Sequence, residues 1–293
     1  MDIPIEIFQS ILNHSDFLTQ IRIRCASKLL YTKMEIHDLY DIADKYLDLL
    51  SDDILQVYPL TRKLNAKHNG KITNVNCLTQ LEVLNANTAC LNTNECTFFF
   101  SCGIGDDGIS NLNLKELYTC NNCTIINLNH MSNLKVLDAS SHYCSITNQG
   151  IQRLTNLKKL DVTFNDKITD INHMTNLVEL NARGHGINDA NISNLNLKIL
   201  NVTDNPYITN VNHMPNLEKL WAYGHCGIND AGISELNLKF LDAGHNPRIS
   251  DIKHMGKLEI LYANGQRCGL GDAGIVGLNL TELQSDRNFK IHR

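Results

Sequence analysis

The chain has 293 residues, 43% of them hydrophobic, which excludes a disordered polymer and suffices for one extended domain or two compact ones. A formal net charge of -5 and a pI near 6.2 exclude the Lys/Arg surplus that a dedicated nucleic-acid surface needs. The opening MDIPIEIFQSIL lacks a basic n-region, and no apolar run approaches the roughly 18 residues that span a bilayer. The expectation is a soluble cytoplasmic or nuclear protein, with no membrane and no nucleic-acid partner, whose ten cysteines are reduced thiols.

The first predicted element is DIPIEIFQSILNHSDFLTQIRIRCASKLLYTKM. Ile3, Ile7, Ile11 and Leu12 recur at helical spacing, Pro4 stands at a first helical position, and Glu6 lies in the first turn, where its charge suits the helix dipole. Asp16 is placed to cap a second helix that carries Leu18, Ile21, Ile23 and Cys25. With the closing Ala26, Ser27, Lys28 and Tyr31, this segment resembles the F-box, although Ile3 replaces the usual leucine and Leu29 and Leu30 precede the aromatic. The resemblance implies a helical docking module over residues 1–37, in which Ile3, Pro4, Ile7, Ile11 and Leu12 bind the adaptor subunit of a cullin-type ubiquitin ligase. The alternative is that these helices cap the open end of a repeat array. Residues 38–60, DLYDIADKYLDLLSDDILQVYPL, read as an amphipathic helix that links this module to the remainder of the chain.

From residue 61 a Leu-x-x-Leu phrase or its equivalent recurs, starting at Thr61, Leu81, Leu114, Leu134, Leu157, Leu177, Leu197, Leu217, Leu238, Leu258 and Leu280. The spacing is mostly about 20 to 23 residues, and the Leu81 unit carries an inserted loop near 89–103. Two unit types alternate. The first, as in LKKLDVTFNDKITDINHMTN, has a short strand and a thin return; the second, as in LEKLWAYGHCGINDAGISELN, returns through a short helical turn that Asp230 or its neighbour is placed to cap. A unit this short cannot bury its own apolar side, so the units must stack into a solenoid with a continuous core. Residues 61–293 resemble the leucine-rich repeat proteins, the I-[TN]-D-x-G-I-x-x-L phrase being similar to their cysteine-containing class and I-T-[DN]-[IV] to their short class. The implied fold is α/β: a curved parallel sheet with short helical or 3-10 outer segments, preceded by a small all-α module. The Asn- and Ile-rich wording is also similar to repeat proteins that large DNA viruses of amoebae carry beside F-boxes, which implies action inside a host cell.

Candidate chemistry is sparse. His130, His173, His213 and His254 recur in an H-M phrase, but two units separate each pair, which puts neighbouring imidazoles roughly 10 Å apart on strands about 4.8 Å apart. A single metal with bonds near 2.1 Å cannot bridge them, so they read as structural. His142, His185 and His225 fall where the repeat family usually places asparagine, as Asn165, Asn205, Asn246 and Asn288 do, in a role that satisfies backbone groups after the strand. Cys120 and Cys123 form a C-x-x-C pair that admits a zinc site; the preferred reading makes Cys90, Cys123 and Cys226 equivalent buried thiols. No nucleophile elbow, Walker loop or zincin motif occurs, so the reading is a protein that is not an enzyme, with no catalytic residue, cofactor or metal.

There remains the outward face of the strands, presented by the residues two, four and six places after the start of each unit, termed its second, fourth and sixth positions. In the late units these include Lys219, Trp221 and Tyr223, then Phe240 and Asp242, then Tyr262: an aromatic patch with flanking charges at Arg183 and Glu179. Earlier units offer Asn65, Asn85, Asp138 and Asp161. Exposed Trp and Tyr are common interface anchors, so the patch is expected to hold a protein substrate while the N-terminal module docks to the ligase adaptor. The alternative is a plain repeat scaffold or decoy with no ligase link.

Overall fold

A computed structural model describes residues 36–42, 44–88 and 103–292, together with Gln9, Thr19 and Gln20. The expected docking residues Ile3, Pro4, Ile7, Ile11 and Leu12, the rest of the F-box-like segment and the inserted loop over 89–102 lie outside the described residues.

The chain divides into two units, residues 1–137 with 143–145, and residues 138–142 with 146–293. The first holds β1 (Asp38–Leu39), β2 (Lys63–Asn65), β3 (Val83–Asn85) and β4 (Glu116–Tyr118), which pair in parallel and in chain order. After β5 (Val136–Asp138), which straddles the division, the second holds β6 (Lys159–Asp161), β7 (Glu179–Asn181), β8 (Ile199–Asn201), β9 (Lys219–Trp221), β10 (Phe240–Asp242), β11 (Ile260–Tyr262) and β12 (Glu282–Gln284). These too pair in parallel, each with the next.

Each strand is three residues long or less, and in the three-residue strands the central residue is a leucine on the inward side. Leu200, Leu220, Leu241 and Leu261 stand side by side in the pairing register and are fully buried, each contributing about 1.5–3 kcal/mol by leaving water. Further along each repeat Ile208, Val211 and Met214, or Ile249, Ile252 and Met255, close the core from the return side.

The turn after the strand is held by a buried asparagine that reaches back to the preceding repeat. In the C-terminal half Asn165 Nδ2 donates to the carbonyls of Ala139 and Ile146, Asn205 Nδ2 to those of Ala182 and Ile187, Asn246 Nδ2 to those of Ala222 and Ile228, and Asn288 Nδ2 to those of Ala263 and Leu270. Each therefore satisfies two carbonyls that would otherwise be buried and unpaired.

On the return side the D-x-G-I and I-T-D phrases interlock. Asp189 accepts from the backbone of Thr209 and Asn210 and from the Thr209 hydroxyl, and Asp230 does the same for Ser250 and Asp251. Of Asp230 and its neighbour, it is Asn229 whose Oδ1 accepts the Gly232 amide at the start of the 3-10 turn Ala231–Ile233, because the Asp230 carboxylate is committed to the next repeat. Gly232 is glycine for the same packing reason, since a Cβ there would collide with the Thr209 carbonyl oxygen.

Residues 38–60 are not one continuous helix. β1 is succeeded by two short helices, Asp44–Leu47 and Asp52–Leu55, and Asn69 Nδ2 donates to the carbonyls of Leu47 and Leu50. The segment thus behaves as a repeat whose Ile36-x-x-Leu39 stands in for Leu-x-x-Leu, both residues being buried. Its strand is only two residues long, and the charged residues on either side of Ile42 give the sequence a helical rhythm that the backbone does not keep.

Candidate partner-binding face

The histidines of the H-M phrase are structural. The ring nitrogen Nε2 of His130, His173, His213 and His254 lies 3.0–3.2 Å from the carbonyl oxygen of Ile109, Ile151, Ile192 and Ile233 respectively, one repeat back. The neighbouring asparagine works in the opposite direction: Asn172 donates to the Ala190 carbonyl and accepts from the Asn194 amide, and Asn212 does so with Ala231 and Glu235. The Asn-His pair therefore fastens its thin repeat to both neighbours.

His142, His185 and His225 do not occupy the asparagine role; all three are exposed. His142 lies 3.3 Å from Asp166 and against the Phe164 ring, and His185 stands edge-on to Tyr207. The chain turns one or two residues later in these repeats, so the buried place falls instead to Cys144 and Cys226. Cys268 makes the substitution explicit, its thiol donating to the Ala243 carbonyl at 3.4 Å. Burial pushes the Cys226 thiol up to about 12. The grouping of Cys90, Cys123 and Cys226 is corrected accordingly: Cys123 is half-exposed because Asn122 fills the buried place beside it, donating to the Ala86 and Ile104 carbonyls, and Cys90 lies outside the described residues. Among the described residues no group of three His, Cys, Asp or Glu side chains is placed to hold a metal ion, and no helix is long and apolar enough to cross a membrane.

The strand face obeys a different rule. At the fourth position of the repeat, Asn65, Asn85, Asp138, Asp161, Asn201 and Asp242 each accept the amide two residues on, which fixes the chain as it leaves the strand. Tyr118, Trp221 and Tyr262 occupy the same position with rings that cannot make this bond. Two of these three fall on β9 and β11, on either side of Asp242 in the pairing register.

The rings form one cluster. Trp221 lies 4.5 Å from Phe240 between centroids, and Phe240 lies 5.2 Å from Tyr262 in an edge-on contact. Phe240 is only 9% exposed, so of the expected contact residues it serves as the floor beneath the other two rings, not as accessible surface. Trp221, Tyr223 and Tyr262 are half-buried, and Lys219 is exposed in the row of Phe240. Tyr223 packs against His245 at 5.3 Å and passes over Gly244, whose missing side chain leaves room for the ring. Burial raises the Asp242 carboxyl above the usual carboxylate value, and the Gly244 amide and His245 oppose that rise.

A second feature of this face lies on β6 and β7 and just beyond them. Thr163 Oγ1, Asn181 Oδ1 and Arg183 Nε are buried polar atoms without a hydrogen-bond partner. The Arg183 guanidinium sits 5.6 Å from the centroid of Phe164, a bulky residue held at φ 56, and 4.0 Å from Asp204. Residue type alone pointed to Arg183 but not to Thr163 or Asn181, since an orphaned atom is visible only once its neighbours are placed.

No protein-family model matches the chain, and no curated protein matches it. Among solved structures it is similar to an internalin, InlF, from Listeria monocytogenes, at 20% identity and a TM-score of 0.45, covering 94% of this chain and 73% of that one. It is similar to InlJ from the same organism at 18% identity and a TM-score of 0.44, covering 80% of this chain but only 56% of that one. A leucine-rich repeat protein of Leptospira interrogans matches at 14% identity and a TM-score of 0.44, covering 93% of this chain and 82% of that one. The chain is a leucine-rich repeat solenoid. What assigns it is its own geometry, the in-register leucines and the asparagines behind them. Its return side is committed to holding repeats together, whereas the strand face turns side chains outward.

Proposed function

We propose that this leucine-rich repeat chain is a non-catalytic adaptor that captures a protein partner on its strand face over β8–β11 and, through its F-box-like N-terminus, docks to the adaptor subunit of a cullin-type ubiquitin ligase as a substrate receptor. The observation that carries the binding half is the placement of Trp221 and Tyr262, side by side around Asp242, where six other repeats keep a short polar acceptor. Sacrificing a local backbone bond for a half-exposed ring opposes local stability and is the mark of a functional position. The docking half rests on the sequence phrase running from Ile3 to Tyr31. On this reading the protein acts inside a cell, a host cell if the chain is of the viral kind it resembles.

The two halves separate experimentally. Purified ligase adaptor subunit should be retained by the wild-type chain and lost with Ile7→Asp; failure of the wild type to retain it removes the ligase role and leaves a plain scaffold. A partner recovered on the wild-type chain should be depleted at least tenfold on Trp221→Ala. Unchanged recovery would refute the assignment of this face.

A further inference from the structure

Asp242 carries a charge that its structural duty does not need. Its Oδ1 accepts the Gly244 amide at 2.9 Å, the same bond that Asn65, Asn85 and Asn201 make with a neutral amide at the equivalent position. The second carboxylate oxygen is surplus. Among the described residues no Lys, Arg or His lies within ion-pair distance of it. Lys219, one row lower beside Phe240, makes no such pair.

The surroundings are built for one kind of guest. Trp221 and Tyr262 flank Asp242 on the neighbouring strands, and both rings rest on Phe240. Tyr223 closes the side toward Gly244, its ring near enough that a Cβ at residue 244 would lie 2.9 Å from Cδ2. A carboxylate with aromatic residues on both neighbouring strands attracts a cation through its charge, and a cation held there is within reach of the ring quadrupoles as well. Residues 221 and 262 stand two strand spacings apart, about 9.6 Å between backbones, with Phe240 in contact with both rings. A flat cation that can both stack on a ring and pair bidentately with a carboxylate fits this setting better than a compact ammonium, and guanidinium is the flat cation of proteins.

We propose that Trp221, Asp242 and Tyr262 form a receptor for a single arginine side chain presented by the protein partner. This deepens the binding role assigned above to the strand face and rests on it. The guanidinium would stack against the rings and hydrogen-bond the free carboxylate oxygen, with Phe240 as floor. Burial raises the pKa of this carboxyl against the opposing Gly244 amide and His245, and a cation seated beside it would lower that pKa again.

Trp221 is the chain's only tryptophan, so its fluorescence reports on this site directly. The full chain is titrated with the blocked tripeptide acetyl-Gly-Arg-Gly-amide and with its citrulline counterpart, which keeps the shape and loses the charge. A saturable change with the arginine peptide, at least tenfold weaker with citrulline and at least tenfold weaker in Asp242→Asn, is expected. Asp242→Asn retains the bond to Gly244, so a urea midpoint no lower than that of the wild type will show that the fold is intact. Asp251→Asn, on the return side beside Lys253, should bind as the wild type does. Equal responses to the two peptides, or full binding by Asp242→Asn, would overturn the inference. If either occurs while Trp221→Ala still loses its partner, the binding role stands and only the arginine receptor falls. If the arginine response is present as expected but Trp221→Ala keeps its partner, the receptor stands and the partner-binding assignment falls.

Discussion

The return side and the strand face of this chain are built from the same residue types under opposite rules. On the return side an aspartate, a glycine, an asparagine or a histidine recurs with the same bond in successive repeats: Asp189 and Asp230 on the next Thr or Ser, His173, His213 and His254 on the carbonyl behind. On the strand face the fourth position is Asn201, then Trp221, then Asp242, then Tyr262. Repetition marks what the stack requires, because each repeat is stable only through its neighbours. Variation marks what the stack leaves free for recognition.

The largest effect that would test this division is chemical. The Cys226 thiol, raised to about 12 by burial, holds roughly a thousandfold less thiolate than a free cysteine near 9.0. Alkylation coupled to mass spectrometry should therefore find Cys226 about a thousandfold slower to react in the native chain than in urea, with the buried Cys144 and Cys268 slowed in the same direction. Native labelling at the unfolded rate would show that these thiols are not part of the repeated interior. Next in size, Asn246→Ala strands the carbonyls of Ala222 and Ile228 and the amide of Arg248 at once. It should cost about 2–4 kcal/mol in urea unfolding, while Asn201→Ala on the strand face should cost about 1 kcal/mol or less. Equal costs would erase the distinction between the faces.

Gly232→Ala should cost about 1–3 kcal/mol, because its methyl group meets the Thr209 carbonyl oxygen and both are backbone-fixed. Gly256→Ala, with nothing within 4 Å of the added carbon, should change stability by less than about 0.5 kcal/mol. The pair measures how tightly the helical turns of one repeat type seat on the thin repeats.

The repeat was legible in the sequence because its determinant is spacing. Leu200, Leu220 and Leu241 must share a side if they recur every 20 or so residues, and they do. The position of the aromatic cluster came from the same arithmetic. What spacing could not supply was the offset of one or two residues by which Cys144 and Cys226, not His142 and His225, enter the buried turn. That offset depends on how far each strand runs before it bends, a property of backbone contacts with both neighbours. Nor could it show Phe240 as a floor, since an outward-pointing side chain is covered only when the rings beside it lean inward. The repeat at Ile36 is illegible because a two-residue strand leaves almost no pattern between charged residues.

The smallest expected effect is also the one that bears most on why a charge was kept at residue 242. Burial raises the folded-state pKa of Asp242 above its unfolded value. The folded chain therefore holds this proton more tightly than the unfolded chain does. The stability linked to that proton is fully present below the unfolded pKa, near 3.9 for a free aspartate, and is lost as pH rises through the raised folded value. Asparagine does not titrate, so Asp242→Asn should gain on the wild type as pH climbs from about 3.5 to 7, by a small amount because the site is partly exposed. Urea unfolding at the two pH values measures it, with Asp251→Asn as the comparison: hydrogen bonding to Lys253 lowers that carboxyl instead, so its replacement should move the difference the other way. A stability gain in Asp242→Asn at neutral pH would mean that the native residue opposes folding where the equivalent Asn201 does not. No difference would mean that the carboxylate is as well solvated as its return-side counterpart, and the contrast between the two faces would lose its electrostatic part.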